Sequence, residues 1–392
     1  MRKIRRSHAF ECTIGWQALG LGTCLGVFPS CGNLDSGASV QFGSAERRSA
    51  APRMWRRDSG PAPSAPVGYV ERTIMISVDG LGAVYLQGPM NLGRYPNLAA
   101  LRRLGSSTLN ARSDCDYTVT LPNHTSMLTG RPVAPDEHLP PNAYHGWVWD
   151  SLLGPDDTLH NTGNPNLSYI ASIFDVAHDY RKKTCLYAGK SKFSLFSTSY
   201  DANHGAIDHV GVNNGRNKID HVVIIDYDSD ALVSIAESDF TDGICDVIFF
   251  HIAEPDLWGH SIGWGTPEWL SDLERVDAWI GRLAKVVTAN PVQSQWGLVL
   301  TADHGGNGES HSDSSDPWDY TIPFIAIGPG FTPNSDLYTL VNGTRRDPGN
   351  LQLRYFVPGQ PIRNGDVANV ALGMLGLPPV PGSLMRGLLV AQ

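Results

Sequence analysis

The chain has 392 residues, 41% of them apolar and 18% charged; this suits one large or two ordinary globular domains and excludes a disordered or fibrous protein. Its formal charge of −9 is uneven: residues 1–68 hold nine Lys/Arg and four Asp/Glu, so residues 69–392 carry a balance of −14. An acidic body excludes binding to a nucleic-acid duplex driven by phosphate neutralisation, and metal ions would offset part of that charge locally.

The opening "MRKIRRSHAFECTIGWQALGLGTCLGVFPSCG" has a basic start, a mostly apolar run from Thr13 to Phe28 and small residues before Cys31. That layout predicts a secretory signal over residues 1–31 and export to a periplasmic or extracellular space, because the run is short for a stable membrane span. In a second layout Cys31 becomes a lipid-modified first residue that tethers the protein to a membrane, although Phe28-Pro29-Ser30 is a poor recognition site for that step. Residues 32–68, rich in Ser, Ala, Gly, Pro and Arg, read as a flexible linker. Only Cys115, Cys185 and Cys245 remain beyond it, so at most one intramolecular disulfide can form, and no Cys-x-x-Cys pair suggests a zinc knuckle.

The folded region, residues 69–392, starts at "RTIMISVDG", an apolar run that ends in Asp79-Gly80 as a buried parallel strand does when it delivers a loop residue. The helical "YPNLAALRRLG" follows. In "TVTLPNHTSMLTG" Pro122 fits a first helical turn, which puts Thr120 at or just before a helix N-terminus. There Thr120 is either an ordinary cap or a hydroxyl held where phosphate is also welcomed. Residues from about 140 to 240 break the rhythm with many Gly, Asn, Asp and Tyr and read as an inserted cap. Within it "CLYAGKSKFSLF" places Lys190 and Lys192 two apart after a strand, so that in extended chain they face one way, as solvated surface lysines or as a substrate contact. Tyr144, Trp147 and Trp149 could stack on a flat leaving group or simply pack.

"CDVIFFHIAEPD" is a strand ending in charged residues, and "PEWLSDLERVDAWIGRLAKVVTA" carries apolar residues at helical spacing. "QWGLVLTADHGG" and "TIPFIAIGPGF" are further buried strands. The fold class is therefore α/β, a mostly parallel central sheet with helices on both faces and a site at the carboxyl ends of its strands. Three strand ends deliver metal-capable side chains: Asp79, then Asp256 with His260, then Asp303 with His304, followed by His311. Each alone has a plain structural explanation; their joint occurrence where strand ends converge points to a metal centre. Carboxylates and imidazoles without thiolates favour zinc, manganese or iron, and two ions suit an in-line phosphoryl displacement.

The ordered set Asp79-Gly80, Thr120-Leu121-Pro122-Asn123-His124, Glu254-Pro255-Asp256 with Gly259-His260, Asp303-His304-Gly305 and His311 resembles the alkaline phosphatase superfamily, and within it the type I phosphodiesterase/nucleotide pyrophosphatase family. The resemblance spans residues about 72 to 330, with "DVANVALGMLGLPPVPGS" similar to the family's closing segment. It implies an alkaline phosphatase-like fold and two zinc ions, one held by Asp256, His260 and His311, the other by Asp79, Asp303, His304 and the Thr120 oxygen. It also implies that Thr120 attacks phosphorus to give a phosphothreonine, and that a downstream Asn, here Asn142, holds a phosphoryl oxygen. Thr118 lies outside the motif and receives no role. A Lys-x-Lys in phosphonoacetate hydrolase relatives contacts an anionic substrate group, which casts Lys190 and Lys192 as substrate-binding. The expected substrate is a small phosphate ester or nucleotide. A phosphomonoesterase or a phosphonate hydrolase shares the metal set; a non-catalytic secreted binding protein would lack a ligand or the nucleophile, and none is missing.

Overall fold

The computed structural model describes residues 68–210, 215–289 and 295–388; the expected signal, Cys31 and all but the last residue of the expected linker lie outside the described residues. In chain order the strands are β1 (Arg72–Val78), β2 (Ser106–Arg112), β3 (Thr184–Ala188), β4 (His221–Ile224), β5 (Val247–Ile252), β6 (Trp296–Thr301), β7 (Thr321–Ile327) and β8 (Ser335–Asp336). They form one sheet in the order β4-β3-β5-β1-β6-β7-β2-β8. The runs predicted from unbroken apolar sequence occupy its middle: β1 pairs in parallel with β5 on one side and β6 on the other, and β5 is buried along its whole length. A strand covered on both faces has no polar face to alternate with, which is why these read as continuous hydrophobic runs.

Helix Pro267–Leu283 turns Trp269, Leu273, Val276, Ile280 and Leu283 into the core as its spacing predicts, capped by Thr266 and Pro267. Among the described residues no helix is long and apolar enough to cross a membrane.

Two expectations change. Strand β7 runs antiparallel to both β6 and β2, because residues 302–320 return the chain through a loop with only the short helix Pro317–Tyr320, too little for a crossover. The segment from about 140 to 240 is not one inserted cap: it contributes β3 and β4 to the sheet edge, and its polar residues belong to the loops around those strands. Residues 140–158 form a long stretch without helix or strand. A disulfide joins Cys185 in β3 to Cys245, just before β5, and Cys115 is free and buried.

Candidate active site

Because β5, β1 and β6 are parallel neighbours, their carboxyl ends open on the same edge, and the residues following them meet. Asp79 follows β1, Asp303 and His304 follow β6, and after β5 the chain turns into helix Glu254–Ile262, which sets Asp256 and His260 one turn apart on one face. Gly80 makes the first turn possible: its φ is +72°, and its N–H donates to Oδ1 of Asp303 at 3.0 Å. His311 arrives from the loop between β6 and β7.

Two groups form that could each hold a metal ion, Asp79 with Asp303 and His304, and Asp256 with His260 and His311. Nδ1 of each of these histidines donates to a backbone carbonyl: His304 to Gly305 at 2.8 Å, His260 to Glu309 at 2.9 Å and His311 to Thr118 at 2.5 Å. That fixes the tautomer and leaves each Nε2 as a lone pair aimed at carboxylates. His304 Nε2 lies 3.3 Å from Asp303 and 3.5 Å from Asp79, and His260 and His311 lie 3.4 and 3.6 Å from Oδ1 of Asp256. Acceptors facing acceptors need a proton or a metal cation between them. Asp256 Oδ1, Asp303 Oδ2 and His304 Nε2 are buried with no hydrogen-bond partner among the described residues, so the donor set fits divalent metal in both groups.

Lys190 stands between the groups, its ammonium 2.6 Å from Oδ2 of Asp79, 2.7 Å from Oδ2 of Asp256 and 3.4 Å from Oγ1 of Thr120. Burial would raise the Asp79 carboxyl, but the Lys190 charge and a hydrogen bond from His251 hold it well below the usual carboxylate range. Asp303 goes the other way, pushed well up by burial and then by the Asp79 charge. Burial, followed by the neighbouring His311, drops His304 to about 3, so its imidazole is neutral.

Thr120 opens helix Thr120–Thr129, but it is not the cap: Val119 is, and its own side chain makes no capping hydrogen bond. The Thr120 hydroxyl is buried and lies 3.5 Å from Oδ1 of Asp79. Thr118, to which the motif gave no role, orients His311 through its carbonyl.

Asn142 is not brought to this centre. It is exposed, and its carbonyl accepts from Arg131 at 2.5 Å. The group that meets the N–H of Leu121, next to Thr120, is instead Oδ1 of Asp150 at 2.9 Å, and Lys192 pairs with that carboxylate at 2.9 Å. Asp150, Lys190 and Lys192 line one cavity of about 370 Å³ with Leu152, Asp226 and Tyr227. Of the three aromatic residues considered for stacking, Trp147 is fully buried, and Trp149 packs edge-on against it while 38% exposed.

Sequence reasoning missed the supports. His251 accepts the Gly189 N–H at Nδ1 and therefore donates from Nε2 to Asp79 at 2.9 Å. Trp264 donates to the Gly80 carbonyl and sets its ring against His260 and His311. A histidine inside a buried strand must find a partner, and that was the available signal for His251. A third acidic group, Asp114-Cys115-Asp116, is structural: Asp114 already accepts from the Asp116, Tyr117 and Val133 amides and from the Tyr355 hydroxyl.

The chain matches the sequence model of the family described as type I phosphodiesterase/nucleotide pyrophosphatase over residues 73–138 and 173–338, more than half its length. It is 24% identical over 253 residues to human ectonucleotide pyrophosphatase/phosphodiesterase family member 7, covering 62% of this chain and 50% of that protein. It is 25% identical over 248 residues to human family member 1, covering 62% and 24%. The chain thus spans half or less of the length of these curated relatives. Murine ectonucleotide pyrophosphatase/phosphodiesterase 5, solved as an inactive variant in complex with AMP, superposes with a TM-score of 0.52 at 14% identity over 78% of this chain and 95% of that one. A protein in the alkaline phosphatase superfamily from Vibrio parahaemolyticus superposes with a TM-score of 0.51 at 15% identity over 82% and 69%. These two likenesses show a shared fold.

Proposed function

The chain belongs to the type I phosphodiesterase/nucleotide pyrophosphatase family, and from that premise we propose that it is a metal-dependent hydrolase that cleaves a phosphodiester or pyrophosphate bond of a small ester or nucleotide through Thr120. The observation that carries this reading is the convergence on Thr120 of two three-residue donor sets whose buried lone pairs face one another. Divalent ions, zinc by preference for Asp and His donors, would be held by Asp79, Asp303 and His304 and by Asp256, His260 and His311, lowering the hydroxyl pKa and stabilising charge on phosphoryl oxygens.

The residues of the chain then divide the work. Oγ1 of Thr120 attacks phosphorus; the new O–P bond forms as the P–O bond to the leaving group breaks, and the hydroxyl proton leaves to solvent. Water hydrolyses the phosphothreonine and restores the hydroxyl. His251 and Trp264 hold the ligand frame, and the helix N-terminus at Thr120 favours the anion. Export is supported by the basic-then-apolar opening and by the Cys185–Cys245 disulfide, which suits an oxidising compartment; a lipid tether at Cys31 is the second form of that reading.

One observation favours a second substrate class. The Lys190 ammonium, 3.4 Å from Thr120 Oγ1, would attract the extra charge of a phosphomonoester or a phosphonate such as phosphonoacetate. Hydrolysis of bis-(4-nitrophenyl) phosphate beside 4-nitrophenyl phosphate, with zinc and after chelation, separates the two. Zinc-dependent preference for the diester supports the first reading, preference for the monoester replaces it with the second, and no turnover of either removes both esters and leaves phosphonoacetate hydrolysis, or a binding role without catalysis, as the next assay.

A further inference from the structure

The Leu121 N–H belongs to the first turn of helix Thr120–Thr129, next to the nucleophile. Val119 offers this turn no side-chain acceptor, Pro122 has no N–H, and the Asn123 N–H already goes to the Val119 carbonyl. An oxygen of a phosphoryl group seated on Thr120 Oγ1 would find the Leu121 N–H at the positive end of the helix. A carboxylate holds that N–H instead. Asp150 Oδ1 accepts it at 2.9 Å, while Lys192 holds Oδ2 at 2.9 Å and also reaches the Asp150 carbonyl at 3.3 Å.

The charges around the entrance therefore cancel in a particular way. Lys192, read from sequence as a cation for the substrate, is committed to Asp150, and Lys190 is committed to Asp79 and Asp256. The Asp150 side chain is 42% exposed and comes from the stretch without helix or strand, so an incoming ligand can turn it off the N–H while its charge stays nearby.

We propose that Asp150 is a specificity-determining residue: its carboxylate competes for the Leu121 N–H and selects monoanionic diesters over substrates that bring a dianionic phosphoryl group. The inference rests on the phosphoryl-transfer reading of Thr120. The second charge of a monoester meets the carboxylate at close range, where Coulomb repulsion is only partly screened, and a monoanionic diester lacks that charge. Neutralising Asp150 also frees Lys192 for the dianion, so both effects act in one direction.

The test is direct binding to the zinc-loaded full chain, by calorimetric titration at alkaline pH with inorganic phosphate as the dianion and dimethyl phosphate as the monoanion. Asp150→Asn keeps an oxygen for the Leu121 N–H and removes only charge. It should tighten inorganic phosphate about tenfold, equivalent to about 1.4 kcal/mol, and dimethyl phosphate by less than about threefold. Asp150→Ala, which removes the acceptor as well, should keep the same ranking. Unchanged or weakened phosphate binding in Asp150→Asn, or equal tightening of both ligands, overturns the proposal. If neither the wild type nor the variants bind either ligand, the phosphoryl-transfer reading itself falls and takes this one with it.

Discussion

The Lys190 ammonium and the Asp79 carboxylate form a 2.6 Å ion pair with both side chains almost wholly buried. Such a pair sits beside the Thr120 hydroxyl because the strand ends gather carboxylates in one dry place, and an uncompensated buried charge is costly. Without a metal, this lysine is the positive charge that makes the crevice tolerable. With metal present, the same carboxylates have another partner.

Lys190→Met should therefore destabilise the chelated protein by about 3–5 kcal/mol, and added zinc should raise its melting temperature more than it raises that of the wild type. Thermal melts of both proteins with and without zinc provide the check. Equal zinc responses would show that Lys190 does not compensate Asp79 and Asp256.

Thr120→Ala should lower turnover by at least about a thousandfold, since a lost nucleophile is not replaced by its neighbours. Metal content should survive, because the Asp and His side chains of both groups are untouched. Elemental analysis beside the ester assay reads both quantities, and near-normal turnover would refute the nucleophile assignment.

Gly259→Ala should destabilise the fold by about 1–3 kcal/mol through overpacking. A Cβ there would lie 2.3 Å from the Trp264 ring, and that ring backs His260 and His311. Urea denaturation measures the loss, and weaker metal retention should accompany it. A variant as stable as the wild type would mean that Trp264 is free to shift.

Asp319 gives a pH signature. Burial, followed by the nearby Asp316 and Asp313 charges, raises its carboxyl to about 7 from 3.8, and Oδ1 has no hydrogen-bond partner among the described residues. The folded chain keeps a proton that the unfolded chain has released, so this contribution to stability is complete below about 3.8 and is lost as pH rises to about 7. Asp319→Asn should raise the urea midpoint at pH 8 and change it little near pH 4; the opposite trend would contradict the assignment.

The carboxylates of the two donor sets were legible because a buried strand that runs out at Asp79, just before Asp256, or at Asp303 delivers a charge to the same sheet edge. Thr120 was legible as a position, though its rivalry with a cap ended only when Val119 proved to be the cap. Asp150 was not legible: it lies thirty residues from Thr120, across loop with no periodicity to fix its path. The same irregular path misled the choice of Asn142. Trp264 is silent in sequence because its role depends on Gly259, Gly306 and two histidines from different segments meeting it in space. The polarity of β7 was hidden for a related reason, since an apolar run does not state its direction.

The loop that returns the chain from β6 to β7 carries His304 and His311 only seven positions apart, their rings stacked with centroids 3.8 Å apart, yet each serves a different donor set. On the proposed two-ion reading, ordering that loop around one ion would bring a donor for the other into place, so the entropy of loop fixation would be met once for two sites. Occupancy should accordingly rise steeply with metal concentration, with a Hill slope above one and few singly loaded molecules, so that the centre switches between empty and complete.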